Sequence, residues 1–316
     1  MALSLAQYID YLDSRGTTWP APPQVERPDV MPRLYRLPDI RAVTWNVYGT
    51  LLAVSGGTLY FEHPQKVFMD LALDKTIQEF KMWGAMTRKP GQPTEYFGPL
   101  YEMQLHQMKG APSGGERFPE VPVDLLWDGL IKKLLKKDYK FDTGFYGSLN
   151  EFCRKVAYFF HASLQGVAAY AGAADALGFV KSRRLVQGLL GDGQCFTVDQ
   201  LKRQLRQQSP QADLGEFYDP ELCVLSYSVK ARPPSERPFR EALGILARRG
   251  IRPEQVLHIG SRVTADIAPA RRLRMRTALF AGDKGSLEGS ADQMERSQMR
   301  PDIVLTELSQ VSEVIG

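Results

Sequence analysis

The stretch "AVTWNVYGTLLA" at residues 42–53 carries an apolar run into a polar, turn-forming cluster of Asn46, Tyr48 and Gly49. A short apolar run that stops on polar residues and a glycine reads as a buried strand delivering side chains to a site. A carboxylate at position 46 would make immediate chemical sense, as a nucleophile or a metal ligand. Asparagine does not. Its nitrogen lone pair is delocalised into the carbonyl, and its oxygen is a far poorer nucleophile than a carboxylate oxygen. Asn46 is then either an amide that holds a ligand or a residue that suits the turn by local hydrogen bonding.

Three further segments place chemistry-bearing groups after apolar runs. "GDGQC" sets Asp192 between two glycines, as a site acid or as a turn acid starting the next helix. "SYSVKARPP" offers Lys230 and Arg232, and "GSRVTAD" offers Ser261 and Asp266. Cys195 has no histidine near it in sequence and reads as a small buried apolar residue. His258 lies inside a strand and reads as core, while His63, His106 and His161 lack metal-ligand spacing.

Positioning these groups requires strands. From about residue 168 the pattern alternates. "LVQGLL", "CVLSYSV", "QVLHIG", "RTALFAG" and "DIVLTEL" read as strands. "AGAADALGFVKSR", "TVDQLKRQLRQQ", "PFREALGILARRG" and "TADIAPARRLR" read as helices. Short apolar strands alternating with helices imply a parallel sheet covered on both faces, with its site beyond the carboxyl ends of the strands. Between the first strand and this region, residues 59–165 show only helical spacing. "HPQKVFMDLALDKTIQEF", "PTEYFGPLYEMQLHQMKG", "VPVDLLWDGLIKKLLKK" and "SLNEFCRKVAYFFHASLQ" are separated by Gly- and Pro-rich loops. Residues 1–40 form an extension. Leu3, Tyr8 and Leu12 share a helix face, and a Pro-rich segment follows, expected to lie along the main domain anchored by Trp19 and Tyr35.

A chain of 316 residues can bury a large core. Its formal charge of +4 is mild, which argues against a nucleic-acid or acidic-lipid partner. The basic run "IKKLLKKDYK" alternates lysines with Leu134 and Leu135 and reads as a solvated helix face. Three widely spaced cysteines suggest a reducing compartment. The start, "MALSLAQYIDYLDSRG", has neither the basic nor the apolar region of a signal peptide, and no stretch is apolar enough to span a bilayer. A cytoplasmic location is expected.

In order and spacing, "NVYGTLL", "GDGQCFT", "SYSVKARPPSERPF" and "GSRVTADIAPAR" resemble the four motifs of the haloacid dehalogenase-like superfamily. The resemblance runs from about residue 40 to the end. "VYGTL" is similar to the 2-haloacid dehalogenases, which carry a Tyr two positions after the nucleophile. "RPPSERPFREAL" resembles the lysine-proline stretch before a helix, and the closing "PDIVLTELSQVSEVI" is typical of the fold. The resemblance implies a Rossmann-like α/β parallel sheet with an inserted helical cap, as in the dehalogenase and phosphoglycolate-phosphatase branch. The implied boundaries are an extension at 1–40, a core at 41–58 and 166–316, and a cap at 59–165.

The resemblance also implies a site at Asn46, Tyr48, Thr50, Gly191, Asp192, Lys230 or Arg232, Ser261 and Asp266, with its chemistry degraded. The superfamily's nucleophilic Asp falls at Asn46, and losing a nucleophile typically costs roughly 10⁴- to 10⁶-fold in turnover. Gly191 replaces a Ser or Thr that donates a hydrogen bond. Arg232 stands before Pro233 as the motif Lys stands before its Pro. Ser261 replaces the first acid of the fourth motif, as it does in dehalogenases, and Asp266 keeps the second. Phosphatases of the superfamily hold Mg²⁺ with the nucleophile carboxylate, a backbone carbonyl two residues on and a fourth-motif acid. Here two negative charges are gone, so Mg²⁺ is expected to bind weakly or not at all, and no other cofactor is implied. The expected function is that of an inactive or strongly impaired hydrolase homologue that binds a small anion or serves as a scaffold. The alternative is a working phosphatase or dehalogenase-like hydrolase using a displaced acid such as Asp192.

Overall fold

The computed structural model describes residues 1–86, 91–111, 114–210, 217–290, 293 and 296–315. The Gly- and Pro-rich connections expected at 88–93 and 110–122 lie partly outside these. The chain divides into two compact units. One holds residues 1–21, 59–115 and 121–166; the other holds 22–58, 116–120 and 167–316. The extension therefore forms no unit of its own. Trp19 packs edge-on against Tyr158 and Phe159 of the first unit. Tyr35, expected as an anchor, is half exposed instead.

The second unit is built on a six-stranded sheet. Its strands are β1 (Ala42–Trp45), β4 (Val186–Gly191), β5 (Cys223–Leu225), β6 (Val256–Gly260), β7 (Arg276–Phe280) and β8 (Ile303–Leu305). Their order is β5-β4-β1-β6-β7-β8, and every pairing is parallel. A small antiparallel pair, β2 (Leu52–Val54) with β3 (Val167–Ala169), brings together the points where the chain leaves and re-enters this unit.

Register decides which side chains share a face, because successive residues of a strand point to opposite sides. Ala42 pairs with Val186 and Val256, so Ala42, Leu190, Val224 and Val256 share one face. That face is covered by Phe239, Ala242, Ile245 and Leu246 of a helix at Arg237–Arg248. These residues recur at the three- and four-residue spacing of an amphipathic helix. On the opposite face Trp45 Nε1 donates to Gln187 Oε1 (3.0 Å), and Gln187 Nε2 reaches the carbonyl of Leu177 (3.2 Å) in the helix Ala173–Ser182. Both faces of the sheet are thus helix-covered. Burying a core side chain of this size stabilises by about 1.5–3 kcal/mol.

Three elements differ from the expected ones. The run "CVLSYSV" is a strand only to Leu225; Ser226–Val229 forms a helical turn. Ser226 Oγ is drawn sideways, accepting from the backbone N–H of Gly193 at 3.1 Å and contacting Glu120 Oε2 at 2.5 Å. The run "TADIAPARRLR" is not one helix but a wide π-type turn, Val263–Ile267, followed by Ala268–Arg272. "DIVLTEL" is strand only at Ile303–Leu305, because Glu307 and Gln310 cap the next turn.

The first unit is helical, with Leu5–Ser14, Lys66–Glu79, Pro93–Lys109, Val123–Leu135 and Leu149–Leu164 as its main helices. Its core is aromatic: Trp127 meets Phe97, Tyr101 and Phe160 with ring centroids 5.3–5.9 Å apart. The N-terminal helix starts on a Ser4–Gln7 capping box and buries Tyr8 and Leu12. In the run "IKKLLKKDYK", Ile131 and Leu134 are buried, while Lys132 pairs with Asp128 at the surface. Among the described residues no helix is long and apolar enough to cross a membrane.

Candidate functional site

The site lies at the carboxyl ends of β1, β4 and β6, where parallel strands bring their following residues together. Asn46 follows β1 directly and is fully buried. Its backbone N–H continues the ladder to Ile259 O at 2.9 Å. Its side chain is held from both ends. Oδ1 accepts from the backbone N–H of Val47 at 2.9 Å. Nδ2 donates to the carbonyl of Tyr48 at 3.1 Å and to Asp266 Oδ2 at 3.2 Å.

Asp266 is also fully buried. The wide turn lets its carboxylate fold back over the start of its own loop. Oδ2 accepts from the backbone N–H of Ser261 (3.1 Å) and of Arg262 (3.0 Å), besides Asn46. Oδ1 accepts from Arg262 Nη2 at 2.9 Å. Gly260 is glycine for this reason: a Cβ there would sit 2.6 Å from Asp266 Oδ2.

Arg262 links the two acids. Its side chain is 6% exposed; Nη1 lies 2.5 Å from Asp192 Oδ2 while Nη2 holds Asp266. Burial alone would pull the guanidinium's pKa down, but Asp192 and Asp266 outweigh it and leave it above its ordinary value. The group is a permanent cation with a fork geometry suited to two carboxylates. Position 262 was not among the residues singled out from sequence. Its i, i+4 spacing to Asp266 was a legible signal; its contact with Asp192, on another strand, was not.

Gly191 has a φ of +140° and faces Asn46. A Cβ there would fall 2.6 Å from Asn46 Oδ1. A Ser or Thr at 191 is therefore incompatible with the present position of the Asn46 amide, apart from its backbone strain. Tyr48 contributes its carbonyl, not its ring. The phenol hydroxyl donates to Gln200 Oε1 at 2.7 Å and meets Thr197 Oγ1 at 3.0 Å. Thr50 Oγ1 and Ser261 Oγ are buried without a hydrogen-bond partner among the described residues. His258 also lies beneath this end of the sheet, with Nδ1 on Thr44 Oγ1 at 3.0 Å and Phe239 edge-on. Burial lowers its pKa to about 4, against a raising contribution from Asp266 and a lowering one from Arg262.

Lys230 and Arg232 do not join this cluster by any side-chain contact. Both are exposed, and neither side chain makes a hydrogen bond or ion pair among the described residues. Lys230 has φ +56° and ends the helical turn after β5. The backbone beyond it pairs with residues 118–120: Arg232 N donates to Phe118 O, and Glu120 N to Lys230 O. Two of the backbone donors of "GDGQ" are also in use. Gly193 N donates to Ser226 Oγ at 3.1 Å, and Gln194 N to Thr197 Oγ1 at 2.7 Å. Cys195 is buried and reduced.

The donor set does not fit a divalent metal. Mg²⁺ needs near-octahedral oxygen ligands at about 2.0–2.1 Å. Here an amide NH₂ stands between two of the three oxygens implied as ligands, and a guanidinium holds the other edge of the carboxylate. A cavity of about 430 Å³ is lined by Leu185, Val186, Phe217, Tyr218 and Asp219, at the beginning of β4. None of the nine expected site positions lines it.

No known family model matches the chain, and no curated protein matches it. Among solved structures it is similar to a 2-haloacid dehalogenase from Pseudomonas syringae pv. tomato DC3000, with 19% identity and a TM-score of 0.51 over 87% of this chain and 97% of that one. It is also similar to a HAD phosphatase from Thermococcus onnurineus, with 13% identity and a TM-score of 0.46 over 87% and 97%. A third similarity is to an L-2-haloacid dehalogenase from Xanthobacter autotrophicus, with 17% identity and a TM-score of 0.41 over 86% and 96%. The first of these, with the six-stranded parallel sheet and the helical insertion after the first strand, carries the assignment: the chain has the haloacid dehalogenase-like fold.

Proposed function

We propose that this chain is a haloacid dehalogenase-like protein without covalent hydrolase turnover, acting as a scaffold. One observation carries the reading. The Asn46 amide is bound at both ends, with its NH₂ on the Tyr48 carbonyl and Asp266 and its oxygen on the Val47 N–H. A group so held presents no nucleophilic lone pair to phosphorus or carbon.

The small-anion reading has less support. The groups that would attract an anion are the "GDGQ" backbone N–H donors and Lys230 or Arg232. Those at Gly193 and Gln194 are bonded within the chain, and the two cations stand exposed, outside the cluster. The displaced-acid alternative is disfavoured by the 2.5 Å ion pair that Asp192 makes with Arg262. A paired carboxylate is a weaker base and nucleophile than a lone one.

The test is a screen of aryl phosphates and 2-haloacids, with and without Mg²⁺, beside calorimetric titration of inorganic phosphate. The expected result is no turnover above the buffer rate and no phosphate binding at millimolar concentration. Turnover that survives Asn46→Ala and disappears in Asp192→Asn would replace this reading with the displaced-acid one. Phosphate binding lost in a Lys230→Ala, Arg232→Ala double variant would restore the anion reading.

A further inference from the structure

We infer that the cation of this site is part of the chain: the Arg262 guanidinium and the Asn46 amide NH₂ together occupy the electrostatic place of a divalent metal ion. The inference rests on the inert reading above and says why the pocket takes no metal. Three oxygen groups converge here: the carboxylates of Asp192 and Asp266 and the carbonyl of Tyr48. Every one receives a positive or partly positive donor from the chain. Tyr48 O and Asp266 Oδ2 receive Asn46 Nδ2 at 3.1 and 3.2 Å. Asp192 Oδ2 and Asp266 Oδ1 receive Arg262 Nη1 and Nη2 at 2.5 and 2.9 Å.

The two residues depend on each other in this arrangement. The fully buried Asp266 carboxylate, with the partly buried Asp192 beside it, demands a counter-charge, because an uncompensated buried charge is strongly destabilising. Arg262 supplies one full charge from an almost fully buried position. Asn46 supplies two N–H dipoles where a third carboxylate would have increased the deficit. A hard cation entering the site would have to displace a guanidinium from two carboxylates and turn an amide away from two oxygens. Removing Arg262 leaves the opposite situation: two acids with no cation beside them, which is the carboxylate-rich setting a divalent cation favours.

Mn²⁺, followed by its free-ion paramagnetic resonance signal, is the probe. Wild type is expected to leave millimolar Mn²⁺ free. Arg262→Ser is expected to bind it, and to gain thermal stability on adding it. The Asn46→Asp, Arg262→Ser double variant is expected to bind about tenfold tighter or better, since ligand charge sets affinity at such sites. Adding Asp266→Asn to either variant is expected to abolish binding. Wild-type Mn²⁺ binding that Asp266→Asn removes would overturn the inference. So would failure of both Arg262 variants to bind, or to fold, in millimolar Mn²⁺. Metal binding by wild type without turnover sinks this inference and leaves the inert reading; metal-free turnover does the reverse.

Discussion

Asn46→Asp is the substitution that resemblance to the superfamily recommends for recovering activity, and the structure makes it a destabilising one. The change replaces Nδ2 by an oxygen 3.2 Å from Asp266 Oδ2 and 3.1 Å from the Tyr48 carbonyl. Two unit charges at that separation repel by about 5 kcal/mol at an effective dielectric of about 20. Two hydrogen bonds to buried acceptors are lost as well, each worth about 1 kcal/mol. Arg262 is already shared between Asp192 and Asp266 and offers little more. Relaxation lowers the sum, and the expected cost at neutral pH is about 2–5 kcal/mol. The new carboxyl can escape by holding its proton, so its pKa in the folded protein rises above the ordinary aspartate value. The folded state then binds more protons than the unfolded state. The penalty is complete above the raised value and fades as pH falls toward about 3.9, the ordinary value. Urea unfolding of wild type, Asn46→Asp and Asn46→Ala from pH 7.5 to 4 measures this, with hydrogen exchange in β1 and β6 peptides reporting the sheet unit by itself. The expected pattern is an Asp variant less stable than the Ala variant at pH 7.5, with the gap closing as the solution is acidified. An Asp variant as stable as wild type at pH 7.5, or a gap independent of pH, refutes the juxtaposition of Asn46 and Asp266.

Two other outcomes are expected. Gly191→Ala should cost about 1–3 kcal/mol from its φ of +140° and its 2.6 Å approach to Asn46 Oδ1, and part of that cost should vanish in the Asn46→Ala background; additive effects in a double-mutant cycle would contradict the contact. His258, whose pKa burial lowers to about 4, should cost the protein about 3 kcal/mol of stability as pH falls from 6.5 toward 4, because the unfolded chain binds the proton first; His258→Phe should make that limb shallower without abolishing it, since buried His161 is lowered to about 3, and an unchanged slope would count against it.

The sheet was legible because its strands are short apolar runs between turn residues, as at 42–45, 186–191, 256–260 and 276–280. The helix at Arg237–Arg248 was legible because Phe239, Ala242 and Leu246 repeat at helical spacing and Gly250 follows. The pair Leu52–Val54 and Val167–Ala169 escaped notice because three-residue strands carry no periodicity, and their partners lie over a hundred residues apart. The extension of the third site strand through residue 229 failed for a tertiary reason. "CVLSYSV" alternates well enough for a strand, but Ser226 finds partners in Gly193 and Glu120 that only the fold supplies. Residues 118–120 pair with the backbone at 230–232, where both cations are exposed, and "ERFPE" gives no local hint of it.

What sequence could not convey is that the departures from the superfamily motifs are physically interlocked. Taken one at a time, Asn46, Gly191 and Ser261 read as independent losses, and each suggests a one-residue repair. In the folded chain Asn46 Oδ1 occupies the space that a side chain at 191 would need, and Nδ2 occupies the space between Tyr48 O and Asp266 that a cation would need. Arg262 then neutralises the acids that a cation would have neutralised. Repairing position 46 alone adds a charge to a cluster whose counter-ion is committed. Repairing position 191 alone collides with the amide. Removing Arg262 alone exposes two acids to each other. Each single substitution toward the superfamily pattern is penalised by the residues left in place unless a metal enters with it. An order of substitution follows from this: a carboxylate at 46 costs least once the guanidinium has gone and a metal has entered in its place.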